Sequence, residues 1–249
     1  LKIQTPKVAD PNTNLNEILI AFSSHLSGEA ELTTSVQQQY TQDFLSAFNY
    51  EWESISTDAR AFLSIFFEQK GALFTRGQHS PSEFSPPATI AYFLKQWAFD
   101  NLTTAESFDQ LEGWVFEESE YYPGSVADSA ARIEADIEID GSYQTDSGFS
   151  LNGQEHVIRP TGLYVPPGEI VEVSTTSAVE GQGIKVIVGL QIADLESSWS
   201  SFARFPRISK TYELNRAKIE VLNPFGGGLY IEVPDGISLG TIEFSVKGA

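Results

Sequence analysis

Ile133-Glu134-Ala135-Asp136-Ile137-Glu138-Ile139-Asp140 is the stretch on which the fold turns. Apolar and acidic residues alternate one for one, so a β-strand places Ile133, Ala135, Ile137 and Ile139 on one face and four carboxylates on the other. A helix would scatter both sets around its axis. Upstream, apolar residues recur every three or four positions; downstream, they recur every second one. The change of period predicts two domains of different class.

Downstream, short strands are expected at about 155–158, 162–166, 170–175, 184–190, 210–214, 217–222, 229–233 and 241–247, separated by turn residues. Ile184-Lys185-Val186-Ile187-Val188-Gly189-Leu190 is nearly all apolar and reads as a central strand. Asn223-Pro224-Phe225-Gly226-Gly227-Gly228 is a tight turn opening into a strand with Leu229, Ile231 and Val233 on one face. A phosphate loop would need a helix after the glycines and a Lys-Ser/Thr pair, and the sequence offers neither. Eight or nine strands without intervening helices predict an antiparallel, jelly-roll-like sandwich.

Upstream, residues 1–13 are polar and read as an entry strand or tail. Leu15, Ile18, Leu19, Phe22 and Leu26 form a helical stripe that Gly28 ends. A second helix is expected to start near Ser35, in a capping-box spacing with Gln38, and to bury Val36, Tyr40, Phe44, Phe48 and Trp52. A third starts at Ser56 or Thr57 and ends at Gly71, and Pro86-Pro87 opens a fourth carrying Ile90, Phe93, Leu94 and Trp97. Thr104 to Glu112 reads as a short fifth helix. The acidic run from Glu117 with its Pro123-Gly124 turn marks the boundary, giving an all-α helical domain at 1–125 and an all-β antiparallel sandwich at 126–249.

Fifteen basic against 34 acidic residues give the 249-residue chain a formal charge of −19, which repels nucleic acid and anionic membrane surfaces. No apolar run is long enough for a membrane-spanning helix. The charge favours solubility and a monomer. Cysteine is absent, which removes disulfides, a thiol nucleophile and cysteine zinc ligands. Methionine is absent too, even at position 1, which implies a removed leader or an excised fragment and fits a secreted or cell-surface bacterial protein.

His25, His79 and His156 lack metal-site spacing, and no His-Glu-x-x-His occurs. Asp136 to Gly141 imitates the start of a calcium loop, but position 12 would be Ser147 where a Glu is required. Against the general acidity, Arg204, Arg207, Lys210, Arg216 and Lys218 gather beside Trp199, Phe202 and Phe205. Arginine with aromatic residues suits anionic sugars, peptide carboxylates or an acidic partner domain; long basic side chains also commonly pair with nearby acids. Trp199, Phe202, Arg204, Arg207 and Lys210 are the candidate glycan- or partner-binding residues.

Arg159-Pro160-Thr161-Gly162-Leu163-Tyr164-Val165-Pro166-Pro167-Gly168-Glu169, the strand Ile184 to Leu190, Arg204-Phe205-Pro206-Arg207-Ile208 and Asn223 to Pro234 occur in an order and spacing that resemble the N-terminal part of the M60-like, or enhancin-like, metallopeptidase region. The resemblance covers residues 159 to 249 and does not extend to the helical half. It implies a secreted zinc endopeptidase acting on glycoproteins, often mucin-like, whose His-Glu-x-x-His lies downstream of this β region. No catalytic residue carries over, and zinc is expected in the absent catalytic domain rather than in this chain. The expectation is a non-catalytic front portion, inactive alone, whose partners are the downstream protease domain and a mucin glycoprotein or glycan. A stand-alone module binding glycan or a host protein is the alternative, and a hydrolase built from scattered acidic residues a third reading.

Overall fold

The computed structural model describes residues 14–49, 51–127, 129–144 and 156–249. The expected tail at 1–13 and Ser147 of the calcium alternative lie outside the described residues. By contacts the chain forms two compact units, Leu1–Trp97 with Leu195–Phe205, and Ala98–Asp194 with Pro206–Ala249.

The first unit is helical. Helix α1 (Leu15–Leu26) starts at Asn14, whose side-chain oxygen accepts the N–H groups of Asn16 and Glu17 and satisfies two donors the helix cannot. Helix α2 (Thr34–Ala47) starts earlier than expected, because Thr33 rather than Ser35 accepts the Val36 N–H. It ends at Phe48, whose ψ of 111° is extended. Trp52 therefore opens α3 (Trp52–Lys70) instead of closing α2. Gly71, at φ 80°, terminates α3 where a side chain would be strained.

Helix α1 packs on α3 through Phe22 and Phe62, with ring centroids 6.3 Å apart. Helix α4 (Pro86–Leu102) presents Phe93 and Trp97 to Phe48 at 5.2 Å, and Trp97 stacks on Trp52 at 5.4 Å. Such pairs add about 0.5–1.5 kcal/mol each beyond burial. Residues 195–205 belong to this unit because His79 and Phe202 exchange both backbone hydrogen bonds at 3.0 Å, while Phe205 packs 4.8 Å from Phe74.

The expected fifth helix is absent. Phe108–Gln110 forms a single 3-10 turn. The Thr103 hydroxyl donates back to the Phe99 carbonyl at 2.6 Å and Thr104 to the Ser107 hydroxyl at 3.3 Å, local bonds that compete with helix continuation. Phe108 and Leu111 are nevertheless buried.

The strands of the second unit are β1 (Glu134–Tyr143), β2 (His156–Val165), β3 (Val171–Thr175), β4 (Lys185–Val188), β5 (Lys210–Glu213), β6 (Lys218–Val221), β7 (Gly227–Pro234) and β8 (Ile237–Lys247). They form two four-stranded antiparallel sheets ordered β1-β8-β3-β6 and β2-β7-β4-β5, a jelly-roll order. Two expected strands are one, β2, whose register shifts between Pro160 and Tyr164. Pro160 donates no ladder bond and is tolerated because β2 ends its sheet. Val173, Val186, Ile231 and Phe244 are among the inward residues that fill the space between the sheets.

The 161–168 and 223–228 stretches meet. The Gly168 N–H donates to the Asn223 carbonyl at 3.0 Å, and Val165 pairs with Gly227 in the ladder. Gly227, at φ 149°, lies so close to the Gly189 backbone that a Cβ would sit 2.8 Å from its nitrogen. At the sandwich entrance, the Arg132 Nε and Nη2 groups donate to the two Glu169 carboxylate oxygens.

Gly227→Ala should cost about 3 kcal/mol through strain and forced separation from Gly189, whereas Gly236→Ala, equally left-handed at φ 81° but open, should cost about 1 kcal/mol. Urea denaturation of both variants checks this, and equal losses would remove the close approach as a constraint. The Arg132 fork holds the Glu169 carboxyl below its ordinary value. Its contribution is thus present above the usual glutamate pKa of about 4.3 and is lost as pH falls through the lower folded value. Because Glu169 is half exposed, Arg132→Gln should destabilise by under about 1 kcal/mol at pH 7, with the difference closing at acid pH in parallel thermal melts.

Candidate functional site

The second unit carries a cleft of about 530 Å³, bordered by residues of β5, β6 and the 103–106 segment. Strands β5 and β6 each end their sheet, and residues 214–217 join them, so the wall is built from the last strand of both layers. Strand alternation turns Tyr212 inward and leaves Thr211 and Glu213 exposed. Tyr212 donates its hydroxyl proton to the Leu222 carbonyl and accepts the Leu222 N–H at 3.3 Å. Burial pushes its phenol up, so it remains protonated as a wall residue.

Lys210 stands at the start of β5, where its Nζ donates to the Asp100 carbonyl oxygen at 3.3 Å. Burial holds this ammonium below the ordinary lysine value, and the Asp100 carboxylate opposes that shift. Arg216 and Lys218 are the other cations of the lining, and Lys218 pairs with Glu172. Facing them are Glu106, Glu213 and Glu220; Glu213 also lies 3.7 Å from Lys185. Three cations and three carboxylates therefore line the cleft and sum to zero, in a chain of charge −19. Asn215 adds a neutral donor and acceptor, and the Thr103 and Thr104 hydroxyls, whose protons go to Phe99 and Ser107, add acceptors.

The five sequence candidates divide between the units. Trp199, Phe202 and Arg204 belong to the first. Trp199 is 66% exposed, Phe202 is buried with its ring stacked on Phe74 at 5.6 Å, and an Arg204 Nη1 donates to the Phe205 carbonyl at 2.7 Å. Arg207 and Lys210 belong to the second. The Arg207 guanidinium forks onto Asp100 at 2.8–3.1 Å and reaches Asp194 at 3.2–3.3 Å, so two carboxylates neutralise it. Of the five, only Lys210 lines the cleft.

Arg216 and Lys218 were visible in sequence as members of the basic cluster. Thr103, Thr104 and Glu106, more than a hundred residues earlier, gave no signal beyond the short helix expected from Thr104 to Glu112. Among the described residues no group of three His, Cys, Asp or Glu side chains could hold a metal ion.

TRPM8 channel-associated factor 1 from Bos taurus is 33% identical over 97 residues, 39% of this chain and 10% of that protein. TRPM8 channel-associated factor 2 from Bos taurus is 34% identical over 98 residues, 39% of this chain and 11% of that protein. The chain thus spans about a tenth of the length of the curated relatives it matches. Among solved structures, the IMPa metallopeptidase from Pseudomonas aeruginosa aligns over 93% of this chain and 23% of its own, at 17% identity and a TM-score of 0.41. A functionally unknown conserved protein from Bacillus anthracis str. Ames aligns over 45% of this chain and 21% of its own, at 20% identity and a TM-score of 0.29. Residues 127–247, which carry the eight described strands of the sandwich, match the family model of the N-terminal domain of M60-like peptidases, and it is this domain that the β half of the chain is similar to.

Proposed function

We propose that this chain is a non-catalytic, accessory portion of a secreted bacterial zinc metallopeptidase acting on mucin-type glycoproteins, inactive alone and partnered by a downstream protease domain of the same polypeptide. The observation that carries this reading is the family match over residues 127–247, a domain described as N-terminal in peptidases. The sequence itself contains no His-Glu-x-x-His, the zinc-binding arrangement the resemblance calls for. A jelly roll suits the accessory role, because its two sheets hold long edge strands and loops in fixed positions without needing a cofactor. Substrate contact is assigned separately within each unit: in the first to the exposed Trp199 indole and Arg204, with Phe202 supporting their segment from the core, and in the second to Arg207 and Lys210.

A second reading, a module that binds a protein partner, draws on the relatives, whose names describe association with a channel.

The parent protein and this chain, each assayed on a mucin-type glycoprotein, separate the two. Expected is cleavage by the parent that a zinc chelator abolishes, with no turnover by residues 1–249 alone. Turnover by the isolated chain, or a parent without zinc-dependent cleavage, overturns the accessory-peptidase reading.

A further inference from the structure

We propose that the cleft between β5, β6 and the 103–106 segment is a binding site for a neutral, hydroxyl-rich ligand, a short uncharged oligosaccharide. The proposal rests on the accessory reading for the source of the sugar; the site's chemistry stands on the cleft alone. Its volume of about 530 Å³ falls in the range of small-ligand sites, about 300–1,000 Å³.

Charge decides the class of ligand. Lys210, Arg216 and Lys218 are matched by Glu106, Glu213 and Glu220, so a phosphate, sulfate or sialic acid carboxylate entering the cleft meets as many repelling as attracting groups. The neighbouring Arg207 is neutralised by Asp100 and Asp194, and Lys218 is engaged by Glu172. A cationic ligand meets the converse balance.

A sugar hydroxyl donates one hydrogen bond and accepts others. The cleft supplies both halves: carboxylates that only accept, ammonium and guanidinium groups that only donate, and Thr211 and Asn215, which do both, while Thr104, whose proton goes to Ser107, adds an acceptor. The Tyr212 hydroxyl is already occupied by Leu222, so this residue offers ring surface, and Ile219 adds an aliphatic patch. Those surfaces suit the C–H faces of a pyranose. Most of these side chains stand on strands rather than on a long loop, and Lys210 is held by the Asp100 carbonyl before any ligand arrives, which lowers the ordering cost of binding.

The test is isothermal titration of the 249-residue chain with a panel of neutral oligosaccharides of galactose, fucose, mannose and N-acetylhexosamines, their sialylated and sulfated counterparts, and an unglycosylated Ser/Thr peptide. At least one neutral sugar should bind, more tightly than its charged counterparts and than the peptide. Arg216→Ala and Asn215→Ala, both at exposed loop positions, should weaken it about tenfold, while Glu138→Gln on the solvent face of β1 should leave it unchanged. Binding confined to charged sugars or to the peptide, no binding at all, or affinity indifferent to both cleft variants overturns the proposal. Loss of the parent's zinc-dependent cleavage would remove the accessory reading and leave this titration to decide the cleft by itself.

Discussion

One buried amide ties the second unit together. Asn223 is fully buried, yet its Nδ2 donates to the Ile208 carbonyl at 2.9 Å, its Oδ1 accepts the Phe225 N–H at 2.9 Å, and its carbonyl accepts the N–H groups of Gly168 and Gly226. Each of these groups would otherwise be a desolvated polar atom, at roughly 1–3 kcal/mol apiece. No apolar side chain could replace the amide, since donor and acceptor are both needed at one point. The turn that follows then approaches Gly189 and Pro167 at distances only glycine permits. Asn223 and its glycines fix where β4, β7 and the turn after β2 converge.

That convergence explains why two stretches about sixty residues apart carry the family resemblance together. Thr161 to Gly168 and Asn223 to Gly228 face each other in the ladder, so a change in either is felt by the other. In sequence the first was legible as a strand over 162–166 and the second as a proline-glycine turn; their contact was not, because periodicity reports faces and never partners. The alternation over 133–140 gave β1 with its acidic face outward, and the downstream alternation gave the other strands closely enough to specify a sandwich. The sheet order is a non-local property, and only the count of strands without helices pointed to it.

The departures from sequence expectation have local causes. Arg159 to Thr161 read as a break between two strands, yet an edge strand absorbs Pro160, which has no N–H, by shifting register. Thr33 rather than Ser35 caps α2, a choice among three consecutive hydroxyl residues that spacing alone does not make. Residues 195–205 join the helical unit through a backbone bridge to His79, and backbone bridges leave no trace in side-chain pattern. The basic cluster is the plainest case. From 204 to 218 it reads as one patch, but Arg207 is taken by acids 107 and 13 positions away, and Lys218 by Glu172.

Net charge and local charge consequently act at different ranges in this molecule. At −19 the chain repels polyanions from a distance, but that field is screened beyond about 10 Å at ordinary ionic strength. Inside the cleft the balance is set by neighbouring pairs, and they cancel. The opposite end of the first sheet differs: β1 is an end strand whose outward row of Glu134, Asp136, Glu138 and Asp140 is acidic, a composition that opposes pairing with a second sheet edge. The β1 edge thus disfavours edge pairing by like charge, while the end formed by β5 and β6 carries both signs beside apolar wall. Of the two, it is the mixed end that can hold a small polar molecule by contact, and that asymmetry follows from strand order and side-chain placement rather than from composition.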